Sequence, residues 1–302
     1  MSPLPFPQGI HVPLITPFTA DDDIAVNSLE SLAYAVLDEG ADGIVALGTT
    51  AEAATLDAEE KAAVVAICAK VCRERDAPLT IGVGGSDNTR AATRALAELA
   101  TVCPQATAAL VPVPVFSRPG AAGAVAHFAH LAQHSPVPLI VYHVPYRTAQ
   151  PLDAAALRVI GRHPNIRGVK LATGCVDKET VELLSDLPPD FSVLAGDDVL
   201  LSPLLALGAA GGILASAHLA TAHFAALAAA WRNGDHKNAR NLGLALARLS
   251  AAAFREPNPA VIKGVLHAQG RIPTPDIRLP LLPARRASVD HALQETERVR
   301  HV

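Results

Sequence analysis

Aromatic residues make up only 4% of the 302 positions, and the chain holds one Trp and one Met. It has no long basic run, and its formal net charge is −4. Nucleic-acid binding draws on a basic stripe and stacking aromatics, so nothing points to that class. Gly, Pro or charge interrupts every apolar stretch before about 18 residues, so no membrane span is expected. Met1–Pro7 carries neither a basic residue nor a long apolar core, and does not read as a signal peptide. The four cysteines, Cys68, Cys72, Cys103 and Cys175, form no Cys-x-x-Cys pair and no zinc spacing. Four reduced, buried thiols in a cytoplasmic protein are the expectation. Apolar residues, at 50%, suffice for a large core and argue against disorder.

Short strand-like runs alternate with longer helical patterns. Strands are expected at 9–15, 42–47, 79–83, 107–111, 138–142, 166–171, 191–195 and 211–215. Helices are expected between them near 27–39, 57–75, 88–103, 120–134, 152–162, 177–186, 198–207 and 218–232. Strict alternation means parallel strands joined by crossover helices. Eight such units over about 225 residues predict an α/β fold of the closed (β/α)8 TIM-barrel type. No Gly-x-Gly-x-x-Gly follows the first strand, which weakens a dinucleotide-binding reading. Residues 233–302 show no strand and read as helices near 235–255, 259–269 and 285–300. The chain is therefore expected to hold a barrel domain at 1–232 and a C-terminal helical extension at 233–302. Asn27 and Ser28, Asp57 with Glu60, Asp153 and Asp177 stand where helix caps belong.

In such a barrel the reacting groups sit at the C-terminal ends of the strands. Lys170 stands near the end of the apolar strand 166–171, where an ammonium is costly to desolvate. A neutral amine escapes that cost and becomes a nucleophile for a carbonyl. Tyr142, Thr49, Thr50 and Arg147 fall at other strand ends. Alone, a strand-end lysine reaches solvent, a tyrosine packs in a core, two threonines make a turn and an arginine pairs at the surface. Together they are the inventory of imine chemistry. The amine attacks a ketone, the phenol relays protons to the departing oxygen, the hydroxyls hold a carboxylate, and the guanidinium holds a second anion. No metal is required and no cofactor beyond the lysine itself.

Four motifs occur in order: Gly48-Thr49-Thr50-x-Glu52, Tyr142-x-Val144-Pro145-x-Arg147-Thr148, Gly168-Val169-Lys170-x-Ala172-Thr173-Gly174 and Gly196-Asp197-Asp198. With Glu256-Pro257-Asn258-Pro259 and Arg278-Leu279-Pro280, they resemble the dihydrodipicolinate synthase/N-acetylneuraminate lyase family over roughly residues 8–285. The resemblance implies a class I aldolase-type enzyme, a homotetramer built as a dimer of dimers, acting on a 2-oxo acid and an aldehyde. It implies that Lys170 forms the Schiff base with pyruvate and that Tyr142 is the general acid/base. It assigns Thr49 and Thr50 to carboxylate binding and proton relay, Arg147 to the acceptor's carboxylate, and the backbone of Ile213 to the pocket wall. Phe116 stands where the synthases carry a relay tyrosine; it keeps the ring and lacks the hydroxyl. Leu171 and His143 also depart from the synthase pattern. Those departures leave open an aldolase for another 2-oxo acid, or a pyruvate-binding homologue with weak turnover.

His127, His130 and His134 share a helical face, but no carboxylate accompanies them, so a solvated or interface face is expected rather than a metal site. Asp197-Asp198 is expected to shape the site and cap the helix that follows.

Overall fold

A computed structural model describes residues 7–84 and 87–302. Residues 1–6, most of the segment read against a signal peptide, lie outside the described residues. So do Gly85 and Ser86, between the third expected strand and the helix expected near 88–103. Eight short strands pair in parallel, in chain order, into a closed barrel. They are β1 (Gly9–Pro13), β2 (Gly43–Ala46), β3 (Leu79–Gly82), β4 (Ala108–Pro112), β5 (Leu139–His143), β6 (Ile166–Leu171), β7 (Ser192–Ala195) and β8 (Gly211–Ile213). The fold is the expected TIM barrel. Parallel neighbours need a long crossover, and a helix supplies each one. These are α1 (Val26–Asp38), α2 (Ala58–Glu74), α3 (Thr89–Val102), α4 (Gly120–His134), α6 (Ala154–Gly161), α7 (Lys178–Ser185) and α8 (Leu201–Ala206). After β8 come α9 (Ala217–Arg232), α10 (His236–Ala253), α11 (Ala260–Ala268) and α12 (Arg286–Val299). A one-turn helix that the sequence reading lacked, α5 (Pro145–Thr148), follows β5.

The chain divides into two compact units, Met1–Gly9 with Leu79–Ile213, and Ile10–Pro78 with Leu214–Val302. In the first, β5 and β6 are the central pair. Their register sets Tyr142 opposite Lys170 and His143 opposite Leu171. Side chains alternate along a strand, so Tyr142 and Lys170 emerge on one face, and His143 and Leu171 on the other. In the second unit, α10 packs on α9 and α12, and α11 packs on α12.

The caps follow the expected chemistry with two corrections. Asp57 and Glu60 form a full capping box at α2, each side chain accepting the other's N–H at 2.9 Å. Asp153 accepts from Ala156 N at 2.7 Å and Asp177 from Thr180 N at 2.9 Å. Helix α1, however, begins at Val26 with no side-chain cap, so Asn27 and Ser28 lie inside it. Its start is set by a chain reversal, in which Ala25 N donates to Pro17 O at 2.8 Å. Nor does Asp197 cap the turn after β7; its Oδ2 accepts from Gly174 N at 2.6 Å instead.

Three cysteines are buried as expected, whereas Cys175 is exposed; all four are free thiols. Among the described residues no helix is long and apolar enough to cross a membrane. His127 does not belong to a solvated face. It is buried and hydrogen-bonded to Thr89 Oγ1 at 2.8 Å, while His130 and His134 stack outside it with centroids 4.3 Å apart. Among the described residues no cluster of His, Cys, Asp and Glu could hold a metal ion.

Burial makes three histidines acid-sensitive. Desolvation pushes His127, His143 and His218 down from 6.5 to about 4. Their exposures are 5%, 2% and 0%. Below pH 6.5 the unfolded chain takes up protons that the fold refuses, so stability falls as the pH drops from 6.5 towards 4. Each buried imidazole contributes on the order of 3 kcal/mol to that loss at pH 4. The expected result is a Tm that is level above neutrality and falls steeply through this window in a calorimetric pH series. A level Tm across it would show that these imidazoles protonate without cost.

Candidate active site

Strand β6, Ile-Arg-Gly-Val-Lys-Leu, is five-sixths buried, and its lysine is only 7% exposed. Lys170 finds room because residue 196 is glycine: a Cβ there would meet Lys170 Cγ and Ala172 Cβ, both at 2.9 Å. Its Nζ lies 4.4 Å from the centre of the Tyr142 ring, itself 8% exposed. Desolvation outweighs every other influence and pulls the ammonium down from 10.5 to about 8. Asp198, Tyr146 and Asp197 act in the opposite sense, and Arg147 acts with the burial. The Asp197 carboxyl is itself raised by desolvation, against the Gly174 N–H and the Lys170 charge. Near neutral pH a fraction of Lys170 is therefore free amine, held against a phenol.

Pro145 opens α5 at a position where its missing N–H is no loss, and the turn carries Tyr146 and Arg147 outward. Arg147 is exposed, and its Nε donates to Tyr146 Oη at 3.2 Å. Ile213 ends β8 at 1% exposure. Phe116, after β4, is 93% exposed, on backbone with φ +58°, a left-handed conformation unusual for an aromatic residue. Thus Lys170 and Tyr142 adjoin, Arg147 acts electrostatically on Lys170, and the Phe116 ring stands in solvent.

The threonine pair lies in the other unit. Thr49–Ala51 is one 3-10 turn after β2, with Thr49 exposed and Thr50 buried. Asn258 Nδ2 donates to Thr50 Oγ1 at 2.9 Å, and Thr16 Oγ1 donates to Ala51 O at 2.8 Å. Glu52 follows with φ +55° and is only 4% exposed. It pairs with Lys263 Nζ at 2.5 Å and accepts from Arg278 N at 2.9 Å. Lys263 is fully buried, donates to Asp276 O at 2.8 Å, and sits 4.0 Å from the Phe18 ring centre. Arg278 clasps Glu60 through two nitrogens, at 2.7 and 2.6 Å.

The dihydrodipicolinate synthetase family model matches residues 6–296. The chain belongs to this family. It is 36% identical over 282 residues to the 4-hydroxy-tetrahydrodipicolinate synthase of Maridesulfovibrio salexigens, covering 93% of this chain and 94% of the relative. It is likewise 36% identical over 286 residues to that of Moorella thermoacetica, covering 94% and 96%. A crystal structure of the chloride-inhibited dihydrodipicolinate synthase of Acinetobacter baumannii, complexed with pyruvate, superimposes with a TM-score of 0.89 at 33% identity over 96% of this chain and 99% of that one.

Two residues escaped the sequence reading of this family member. Asn258 stood in a motif without a role. Lys263 had a readable signal: it is the one charge in the apolar run Ala260-Val261-Ile262-Lys263-Gly264-Val265-Leu266, and a buried cation demands a buried anion. Its partner, Glu52, lies over two hundred residues away, which is why spacing did not reveal it.

Proposed function

We propose that this chain condenses pyruvate with an acidic aldehyde through an imine on Lys170, in the manner of a 4-hydroxy-tetrahydrodipicolinate synthase. The carrying observation is Lys170 itself, buried, lowered to about 8 and set against Tyr142 by strand register. In this reading the free amine adds to the keto carbon of pyruvate, giving a carbinolamine. Tyr142 passes a proton to the oxygen, which leaves as water, and the iminium remains. Loss of a methyl proton turns the iminium into an enamine, whose carbon attacks the aldehyde to form the new carbon–carbon bond. The product then leaves Lys170 as the imine is broken by water or by an internal amine.

The remaining roles rest on the motifs. Thr49 and Thr50 receive the pyruvate carboxylate and take part in proton transfer, and the Ile213 backbone lines the pocket. Arg147, exposed on its turn, is free to meet the carboxylate of an incoming acceptor. No metal or other cofactor enters. We extend the proposal to a cytoplasmic homotetramer with a catalytic barrel at 1–232 and a helical domain at 233–302; native mass spectrometry checks the assembly against the chain mass of 31.3 kDa.

Incubation with pyruvate and borohydride, followed by intact mass, tests the central step. One pyruvate-derived adduct per chain is expected, and its absence would end the imine reading. A panel of aldehyde acceptors then identifies the second substrate, with aspartate semialdehyde expected to turn over fastest.

Phe116 supplies a separate prediction. If the missing hydroxyl slows proton transfer, Phe116→Tyr should raise kcat with aspartate semialdehyde by roughly tenfold, at the low end for one added proton-transfer group. No gain, at unchanged oligomeric mass, would mean that the natural reaction runs without that relay.

A further inference from the structure

We propose that Tyr146 is a substrate-binding residue that completes, with Arg147, the receptor for the carboxylate of the incoming aldehyde, an inference that rests on the role given to Arg147 above. The motif leaves position 146 open, between Pro145 and Arg147. Both residues stand on the one-turn helix α5, directly after β5, the strand that carries Tyr142. The turn is firmly held. Val144 O accepts from Arg147 N at 2.9 Å and from Thr148 N at 3.1 Å, and Pro145 O accepts from Ala149 N at 2.8 Å. Tyr146 is 64% exposed, so its ring and hydroxyl are open to a ligand. Both side chains still lie within electrostatic range of the Lys170 amine.

The two side chains are joined twice. The Arg147 guanidinium lies over the Tyr146 ring, with Cζ 5.2 Å from the ring centre. Arg147 Nε also donates to Tyr146 Oη at 3.2 Å. The direction of that hydrogen bond follows from chemistry, because a guanidinium has donors and no acceptor. The phenol oxygen accepts, and its own proton stays available. Among the described residues the phenol has no other hydrogen-bond partner. With Nε engaged, the guanidinium is left with its two Nη groups, the edge that meets a carboxylate in a bidentate pair. A carboxylate accepts at both oxygens, so it can take the Nη edge and the Tyr146 proton together. Accepting from a cation polarises the phenol and strengthens its O–H as a donor. The pair therefore fixes the edge at which an acidic acceptor docks, and adds a donor that an arginine alone lacks.

The test is a double-mutant cycle on the kinetics with pyruvate and aspartate semialdehyde. Tyr146→Phe removes only the hydroxyl and keeps the ring under the guanidinium, at an exposed position where the fold has little to lose. It should raise KM for aspartate semialdehyde about tenfold, the low end for a hydrogen bond to a charged group, and change kcat by less than about twofold. KM for pyruvate and the rate of borohydride-trapped adduct formation should stay within about twofold of wild type, since that half of the reaction does not involve the acceptor. Arg147→Ala should raise KM for aspartate semialdehyde at least as much. In the Arg147→Ala background, Tyr146→Phe should cost less than about twofold, because the phenol is no longer held or polarised. Additive losses would overturn the proposal, and so would an unchanged KM in Tyr146→Phe or a loss confined to kcat. The two levels separate cleanly. A lost wild-type adduct removes the imine reading. An intact adduct with an unchanged KM in Arg147→Ala removes the acceptor role of Arg147 and that of Tyr146 with it. An intact adduct, an impaired Arg147→Ala and a wild-type KM in Tyr146→Phe remove the role of Tyr146 alone.

Discussion

Lys170→Ala should yield a folded protein that forms no borohydride-trapped pyruvate adduct and loses kcat/KM on the order of 10⁴-fold or more, the scale seen when a covalent nucleophile is removed. Alanine leaves the fold little to lose. The site loses a partly charged group whose burial already costs free energy, and Tyr142 and Gly196 remain in place. The amine also sets the pH response. The fraction of free amine rises through about 8, so the rate of adduct formation in the wild type should climb from pH 6 to pH 9 with a midpoint near 8. Single-turnover trapping at a series of pH values reads this directly. An adduct surviving in Lys170→Ala would place the imine on another lysine. A midpoint near 10.5 would mean that burial does not tune the amine.

Lys263→Met should destabilise the protein by about 3–5 kcal/mol, the usual consequence of removing one partner from a buried ion pair. Methionine fits the apolar surroundings of α11, but the Glu52 carboxylate, at 4% exposure, loses its cation. Among the described residues, the Arg278 N–H then remains on it. Because Glu52 follows the Thr49–Ala51 turn with φ +55°, its release should also loosen Thr50 and depress kcat. Denaturant unfolding compares wild type, Lys263→Met, and the double variant Glu52→Gln/Lys263→Met. The double variant should recover part of the lost stability, since a neutral amide costs less to bury than an orphaned carboxylate. A Lys263→Met protein as stable as wild type would show that the carboxylate finds other donors without cost. Desolvation already lowers Lys263 to about 8, so this pair gains little over an apolar one; its role is to join residue 52 to residue 263.

The barrel was readable because its signals are local. Eight apolar runs of strand length, each followed by a helical pattern, leave few alternatives to parallel pairing, and capping aspartates such as Asp57, Asp153 and Asp177 mark helix starts by chemistry confined to four residues. The start of α1 was misplaced by that same logic. Asn27 and Ser28 look like caps, yet the Ala25 to Pro17 hydrogen bond begins the helix earlier. His127 misled in a similar way, since three histidines at helical spacing say nothing about which of them faces the interior.

By itself, the order of residues determined the barrel, the family motifs and the identity of the chemical groups at the strand ends, because periodicity and short motifs act over a few positions. Folding set the state of those groups. Lys170 is lowered to about 8 because burial strips water from its ammonium, Asn258 reaches the Thr50 hydroxyl from 208 residues away, and Glu52 finds Lys263 through packing. Desolvation and ion pairing depend on distances in space, and a linear sequence does not contain them until it folds.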